Sequence, residues 1–271
     1  MDNKENIITN YVEATKNTCL CVSISIFLIL LFIMSPLNRI LITSVIGKIC
    51  ILILLIYSIY ILVNSTFFIT KKFDINILEN LESNHQYWNK RNVSNNILVE
   101  FKGGIAKAGK MKNRYVFPIF DINNNIIGFS GRDITNLSKI KWKHLGEKND
   151  FLYPLFLNSE IIQNQREIIL VESIGDMLSL WQAGVKNVLV TFGTNLSLSI
   201  LNYCLKIDAK KIYISLNNDS NKNSAGNIGA EKTHSRLKRY FDEKQLQIAL
   251  PTKKDFGEMS EEEIFQWKTN L

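Results

Sequence analysis

Residues 168–176 read IILVESIGD, and residues 211–219 read KIYISLNND. Each is a short, continuous apolar run that ends in acidic and amide side chains. Residues 188–192, VLVTF, form a similar run ending at Gly193, and residues 247–250, QIAL, form a fourth. Helix-like stretches separate them, over 175–183, from Asn195 as N-cap to about Lys206, and from about Gly229 to Phe241. A last helix opens at Ser260-Glu261-Glu262-Glu263, which has the form of a capping box. Strand and helix alternating at this spacing predict an α/β fold with a parallel sheet and right-handed crossovers. Ligands of such sheets sit outside the carboxyl ends of the strands. Glu172, Asp219 and Asp255 each follow a separate strand, and Asp176 lies one helical turn after Glu172. Hard carboxylate oxygens gathered there suit Mg2+ or Mn2+ beside a phosphate.

Upstream, residues 71–150 hold 14 lysines and arginines against 8 acids. Tyr87-Trp88-Asn89-Lys90-Arg91 interleaves cations with rings, as do Lys141-Trp142-Lys143. Such a mixture fits a single-stranded nucleic acid, whose phosphates meet Lys and Arg while its bases stack on aromatic faces. A solvated basic face with its rings in the core fits the same composition. Two strands, 115–121 and 126–132, flank Asn123-Asn124-Asn125, a turn of residues that tolerate positive φ. Gly128 and Gly131 beside Phe129-Ser130 allow close backbone approach to a partner, with Arg132 at the strand end.

Residues 1–70 are of another kind. Two uncharged apolar stretches, about 19–35 and 49–69, flank a loop with Pro36, Arg39 and Lys48. A bilayer core takes about 20 apolar residues. The expectation is a transmembrane helical hairpin, with Lys71-Lys72 placing the remaining chain on the cytoplasmic side. A hydrophobic hairpin buried in a soluble fold is the alternative. The four cysteines, Cys19, Cys21, Cys50 and Cys204, have no zinc-site spacing, so they read as reduced apolar filler and no zinc is expected. The net charge of +7 favours an anionic partner, nucleic acid or lipid.

These residues also carry a family resemblance. IILVESIGD at 168–176, AGVKNVLVTFGT at 183–194, and IYISLNND and GNIGAEK around 212–232 resemble a Toprim domain. VFPIFDINNNIIGFSGRDI at 116–134 and YWNKRNVSNNILVEFKGG at 87–104 resemble the catalytic core of bacterial and phage DNA primases of the DnaG type. The resemblance spans roughly 74–265. It implies a Toprim-like, Rossmann-like sheet over 166–271, preceded by a basic α+β primase-type part over 71–165. The implied activity is metal-dependent synthesis of short RNA primers on single-stranded DNA from nucleoside triphosphates, with a replicative helicase in trans.

By position, Glu172, Asp176 and Asp219 match the family's catalytic acids, and Glu172, Asp219, Asp255 and Asn217 its metal set. Arg91, Arg114, Arg132 and Lys141 or Lys143 fall where the family's basic residues meet template and nucleotide. Asn217 stands where the first acid of Asp-x-Asp is usual, and the apolar hairpin stands where the family has a zinc domain. These departures leave two rival readings open: a membrane-anchored nucleic-acid-binding protein with a decayed Toprim core, and a Toprim nuclease. The hairpin predicts that the full chain needs detergent for extraction, whereas a chain beginning at Lys71 stays soluble. A full chain soluble without detergent would overturn the bilayer expectation.

Overall fold

The computed structural model describes residues 72–219 and 224–271. The predicted hairpin lies outside them. Among the described residues no helix is long and apolar enough to cross a membrane.

The first half builds an antiparallel sheet. Its strands are β1 (Leu81–Glu82), β2 (Gly104–Ala106), β3 (Arg114–Phe120), β4 (Ile126–Asp133) and β5 (Trp142–Leu145), paired in chain order. Two short helices, α1 (Gln86–Asn89) and α2 (Asn95–Glu100), lie between β1 and β2. The β3–β4 connection is the asparagine turn expected from sequence. Asn124 has φ of 61°, and Asp121 Oδ1 accepts from the backbone N–H groups of Asn123 and Asn125.

The second half is the predicted parallel sheet. After α3 (Leu155–Gln165) come β6 (Glu167–Val171), α4 (Ile174–Gln182), β7 (Val188–Val190), α5 (Leu198–Lys206), β8 (Lys211–Ile214), α6 (Ala225–Leu237), β9 (Leu246–Ile248) and α7 (Glu261–Thr269). The strand order is β7-β6-β8-β9, all parallel. Continuous apolar runs form these strands because helices cover both faces. Ile168, Ile169, Leu170 and Val171 are all fully buried. Burying a side chain of this size stabilises by about 1.5–3 kcal/mol.

Period-two alternation divides those residues between two cores. Ile168, Leu170, Leu189, Ile212 and Ile214 pack with Leu155, Ile162 and Ile200. Ile169, Val171, Val188 and Val190 pack instead with Tyr115, Phe117 and Ile119 of β3 and Met177 of α4. The second core therefore belongs to both sheets and fixes one against the other. Helix α3, which the sequence assigns to the 71–165 part, packs on the parallel sheet. Its Asn158 Nδ2 donates to the carbonyls of Lys186 and Val188 at 2.8 Å.

Helix starts follow local chemistry. Ser260 and Glu263 form the expected capping box. Asn195 does not cap α5; Ser197 does, its side chain accepting from Ile200 N. Helix α6 begins four residues before the expected Gly229, and this brings Gly226 under the Asn217 carbonyl. A Cβ on Gly226 would lie 2.0 Å from that oxygen. Gly226→Ala is expected to cost about 1–3 kcal/mol through overpacking, lowering the thermal midpoint by roughly 3–10 °C for a chain of this size. An unchanged midpoint in a heat scan would remove this contact from the account of the fold.

Candidate active site

Strand β6 is followed in the chain by β7 on one side and by β8 on the other. The carboxyl ends of β6 and β8 therefore border the switch-point crevice where open α/β sheets bind ligands. Glu172 follows β6 directly, and Asn217-Asn218-Asp219 follow β8. The chain holds this second turn from several directions. Asn218 N–H donates to Lys254 O at 2.8 Å, Asn218 Nδ2 to Pro251 O at 3.2 Å, and Asp219 N–H to Asn227 Oδ1 at 2.9 Å. The Asn217 backbone amide donates to the Glu172 carboxylate.

Glu172 Oε2 is buried and has no partner in the chain. Burial raises the Glu172 pKa above the usual range, and the charges of Asp219 and Asp255 raise it further. A carboxylate oxygen held unpartnered against two other acids is a fit for a cation. Among the described residues, however, no three Asp, Glu, His or Cys side chains converge tightly enough to hold a metal by themselves. Mg2+ characteristically takes one or two carboxylates and fills its shell with water and substrate phosphate. The donor set fits that arrangement and does not form a closed protein cage.

Asp176 is engaged differently. It is 3% exposed, and its Oδ2 accepts from Ser173 N and Ser173 Oγ in a capping box. Its Oδ1 accepts from Phe256 N at 3.3 Å. It thus ties the start of α4 to the turn that follows Asp255. Burial pushes its carboxyl up to about 7, with Asp255 and Glu172 adding to the rise. The position expected to act on a ligand acts on the chain's own backbone, and Asp255 depends on it for placement.

The opposite wall of the crevice comes from β4 and β5. Arg132 pairs with Trp142, and Ser130 with His144, across the two strands. Residues two apart share a face, so these four side chains form one surface. Arg132 Nε donates to Tyr87 Oη at 3.0 Å, and its guanidinium lies 5.6 Å from the Trp142 ring centroid. Arg91 sits over Tyr87 at 3.9 Å. A cleft of about 280 Å³ is lined by Tyr87, Arg91, Arg132 and Trp142 on one side and by Asp176, Asp255 and Glu258 on the other. The interleaving of cations and rings read from the sequence is thus a spatial arrangement. A neighbouring pocket of about 200 Å³ is lined by Ser130, Trp142, His144, Glu172 and Phe192 among others. Burial, with help from Lys148, depresses the His144 pKa to about 4.

Three basic residues depart from expectation. Arg114 is buried, 7% exposed, and faces inward. It donates to Gly131 O, Lys141 O, Ile140 O and Ser138 Oγ at 2.9–3.2 Å. It fastens the loop between β4 and β5 and offers nothing to a phosphate. Lys143 lies on the other face of β5, where its ammonium donates to Lys110 O at 2.9 Å. Lys141 is exposed and lines neither pocket. The expected close approach at Gly128 and Gly131 is met internally. Positions for their Cβ atoms would fall 2.4 Å from Phe151 Cζ and 2.9 Å from Met111 Sδ. Ser130 and His144 are not among the expected site residues, although strict alternation along 142–145 places His144 on the face of Trp142.

Comparison with known proteins adds to this geometry. Residues 74–154 match the model of the DNA primase catalytic core, N-terminal domain, and residues 169–260 match a Toprim-like model. In this order the two matches resemble the catalytic core of DnaG-type primases. The chain is 34% identical over 96 residues to the DNA primase of Borreliella burgdorferi and 33% identical over 111 residues to that of Aquifex aeolicus. These matches cover 34% and 39% of this chain but only 18% and 22% of those relatives. A DnaG primase catalytic domain bound to single-stranded DNA has a similar fold, with TM-score 0.60 and 17% identity over 72% of this chain and 76% of that one. So does the Aquifex aeolicus primase solved with its zinc-binding and RNA polymerase domains, at TM-score 0.60 and 19% identity over 79% and 67%.

Two outcomes separate the structural residues of this primase core from those facing the crevice. Asp176→Ala removes a helix cap and strands the Phe256 amide, so denaturant unfolding is expected to register a loss of about 2–4 kcal/mol. Arg114→Met is expected to destabilise by about 2–4 kcal/mol in denaturant unfolding. An Arg114→Met protein as stable as the wild type would reverse its assignment.

Proposed function

We propose that the chain is a primase that builds short RNA primers on single-stranded DNA in replication. The observation that carries the reading is the crevice itself. Glu172 follows β6, Asp219 lies in the turn after the adjacent parallel strand β8, and across from the Asp255 turn lie Arg91 and Arg132 on an aromatic wall. The matches of residues 74–154 and 169–260 to primase-core and Toprim-like models support the same reading, as does the similar fold of a primase domain bound to single-stranded DNA. The nuclease and decayed-core alternatives draw no support from the primase-type antiparallel half.

Glu172, Asp219 and Asp255, with Asn217 nearby, would hold Mg2+ or Mn2+. The ion would supply charge neutralisation for the triphosphate and acidify the attacking hydroxyl. The reaction joins the 3′-oxygen of the growing strand to the α-phosphorus of a nucleoside triphosphate. The α–β phosphoanhydride bond breaks, pyrophosphate leaves, and the hydroxyl proton passes to solvent. Arg91 and Arg132 supply positive charge fixed by Tyr87 and Trp142, so the phosphates meet donors that need little reorganisation. Tyr87 and Trp142 offer ring faces to bases. Asp176 keeps the Asp255 turn in place. A helicase would act in trans, and the apolar N-terminus would tether the core at the cytoplasmic face of a membrane.

Ribonucleotide incorporation by the full chain on single-stranded DNA with Mg2+ or Mn2+ tests the proposal. Glu172→Gln is expected to reduce synthesis at least 100-fold while DNA binding persists. Wild-type binding without synthesis would sink the primase reading and favour a decayed core. Arg91→Ala and Arg132→Ala are each expected to weaken single-stranded DNA binding and to lower its salt slope by about 0.7 for each phosphate no longer neutralised. Asn217→Asp is expected to lower the Mg2+ concentration needed for half-maximal synthesis, because it restores an anionic oxygen at the β8 end. An unchanged Mg2+ requirement would place Asn217 outside the ion's shell.

A further inference from the structure

The pocket beside Glu172 has a property that the larger cleft lacks. Ser130 Oγ, His144 Nδ1 and Glu172 Oε2 are each buried and without a hydrogen-bond partner in the chain, and all three residues line this one pocket. Ser130 is 0% exposed. Buried polar atoms are nearly always partnered, so the two neutral orphans, Ser130 Oγ and His144 Nδ1, around one cavity beside the metal-facing Glu172 point to a ligand. We propose that Ser130 and His144 recognise the ribose of the incoming nucleotide through its hydroxyls and so set the preference for ribonucleotides over deoxyribonucleotides. The proposal rests on the primase reading and goes further by naming the residues that choose the sugar.

The chemistry of the lining selects a polyhydroxyl group. A serine hydroxyl donates and accepts, an imidazole nitrogen does either according to tautomer, and an ionised carboxylate accepts. Vicinal hydroxyls can satisfy the serine and the imidazole at once, beside the Glu172 carboxylate that would face the ion. A phosphate fits poorly, because no Lys or Arg lines the pocket. The nearby Lys148 ammonium donates to Phe192 O at 3.0 Å, at the Gly193 rim. Anionic groups have their own place in the adjoining cleft, with Arg91 and Arg132. The volume of about 200 Å³ equals the liquid share of roughly six or seven waters, which is the scale of a sugar and too small for a whole nucleotide. Trp142 and Phe192 present apolar faces suited to the carbon side of a furanose ring. Phe192 also packs edge-on to His144 at 5.3 Å and holds the imidazole in place.

Cross-strand geometry makes the pair rigid. Ser130 and His144 face each other in the β4–β5 register, so their spacing is set by the sheet. Sites built to hydrogen-bond a substrate hydroxyl reject analogues lacking it far more strongly than apolar pockets reject a missing methylene.

The test is equilibrium binding and single-nucleotide extension by the full chain, with ATP, 2′-deoxy-ATP and 3′-deoxy-ATP as probes. Wild type is expected to bind ATP at least 10-fold more tightly than 2′-deoxy-ATP. Ser130→Ala and His144→Phe are expected to lower kcat/KM for ATP by about 10- to 100-fold while changing that for 2′-deoxy-ATP less than threefold, so discrimination collapses. Equal losses on both sugars would mean a merely structural role and would overturn the proposal. Equal binding of ATP and 2′-deoxy-ATP by wild type would overturn it without any variant. Absence of synthesis with sugar discrimination in binding retained would sink the primase reading and leave the sugar pocket standing.

Discussion

Strand β6 is apolar on both faces, and the rest of the molecule is arranged around that constraint. One face of Ile168–Val171 belongs to the core under α3 and α5, and the other to the core shared with β3 of the antiparallel sheet. No polar side chain is tolerated along its buried length, so the first one, Glu172, falls where the strand leaves both cores. That exit is also the point at which the strand order reverses. The acid is thereby held half-buried, beside Asp219 from the next strand, with a raised pKa and an unpartnered oxygen.

The shared core has a second consequence. Because β3 packs against the same residues that support β6, the face of β4 and β5 bearing Ser130, Arg132, Trp142 and His144 is brought opposite the acids. Acids and cations come from different sheets and are well separated along the chain, yet their relative placement is fixed by apolar packing. Asp176 adds a polar tie from α4 to the Asp255 turn. A carboxylate that the chain itself surrounds with donors serves to hold another segment still.

Much of this was legible in the sequence. The parallel sheet, the strand-end acids, the asparagine turn and the last capping box follow from hydrophobic run length, chain order and the short-range chemistry of Asn, Ser and Glu. The basic residues were less legible. Arg114 and Arg132 are both arginines at the ends of neighbouring strands, yet one points into carbonyls and the other into the crevice. Composition treats them alike because charge carries no information about facing. Lys143 and Trp142 are adjacent, and a single step along a strand exchanges the crevice for the outer face.

The order of apolar runs and helices is enough to require an α/β sheet that presents Glu172, Asn217, Asp219 and Asp255 at one edge, because parallel strands joined by helical crossovers all end on the same side. Which side chains stand across from that edge is a matter of long-range packing. Arg91 and Arg132 do, Arg114 and Lys143 do not, and Ser130 and His144 enter unannounced. The physical reason is that facing on an antiparallel sheet depends on register and on which face the shared core buries. Both are set by contacts between segments far apart in the chain.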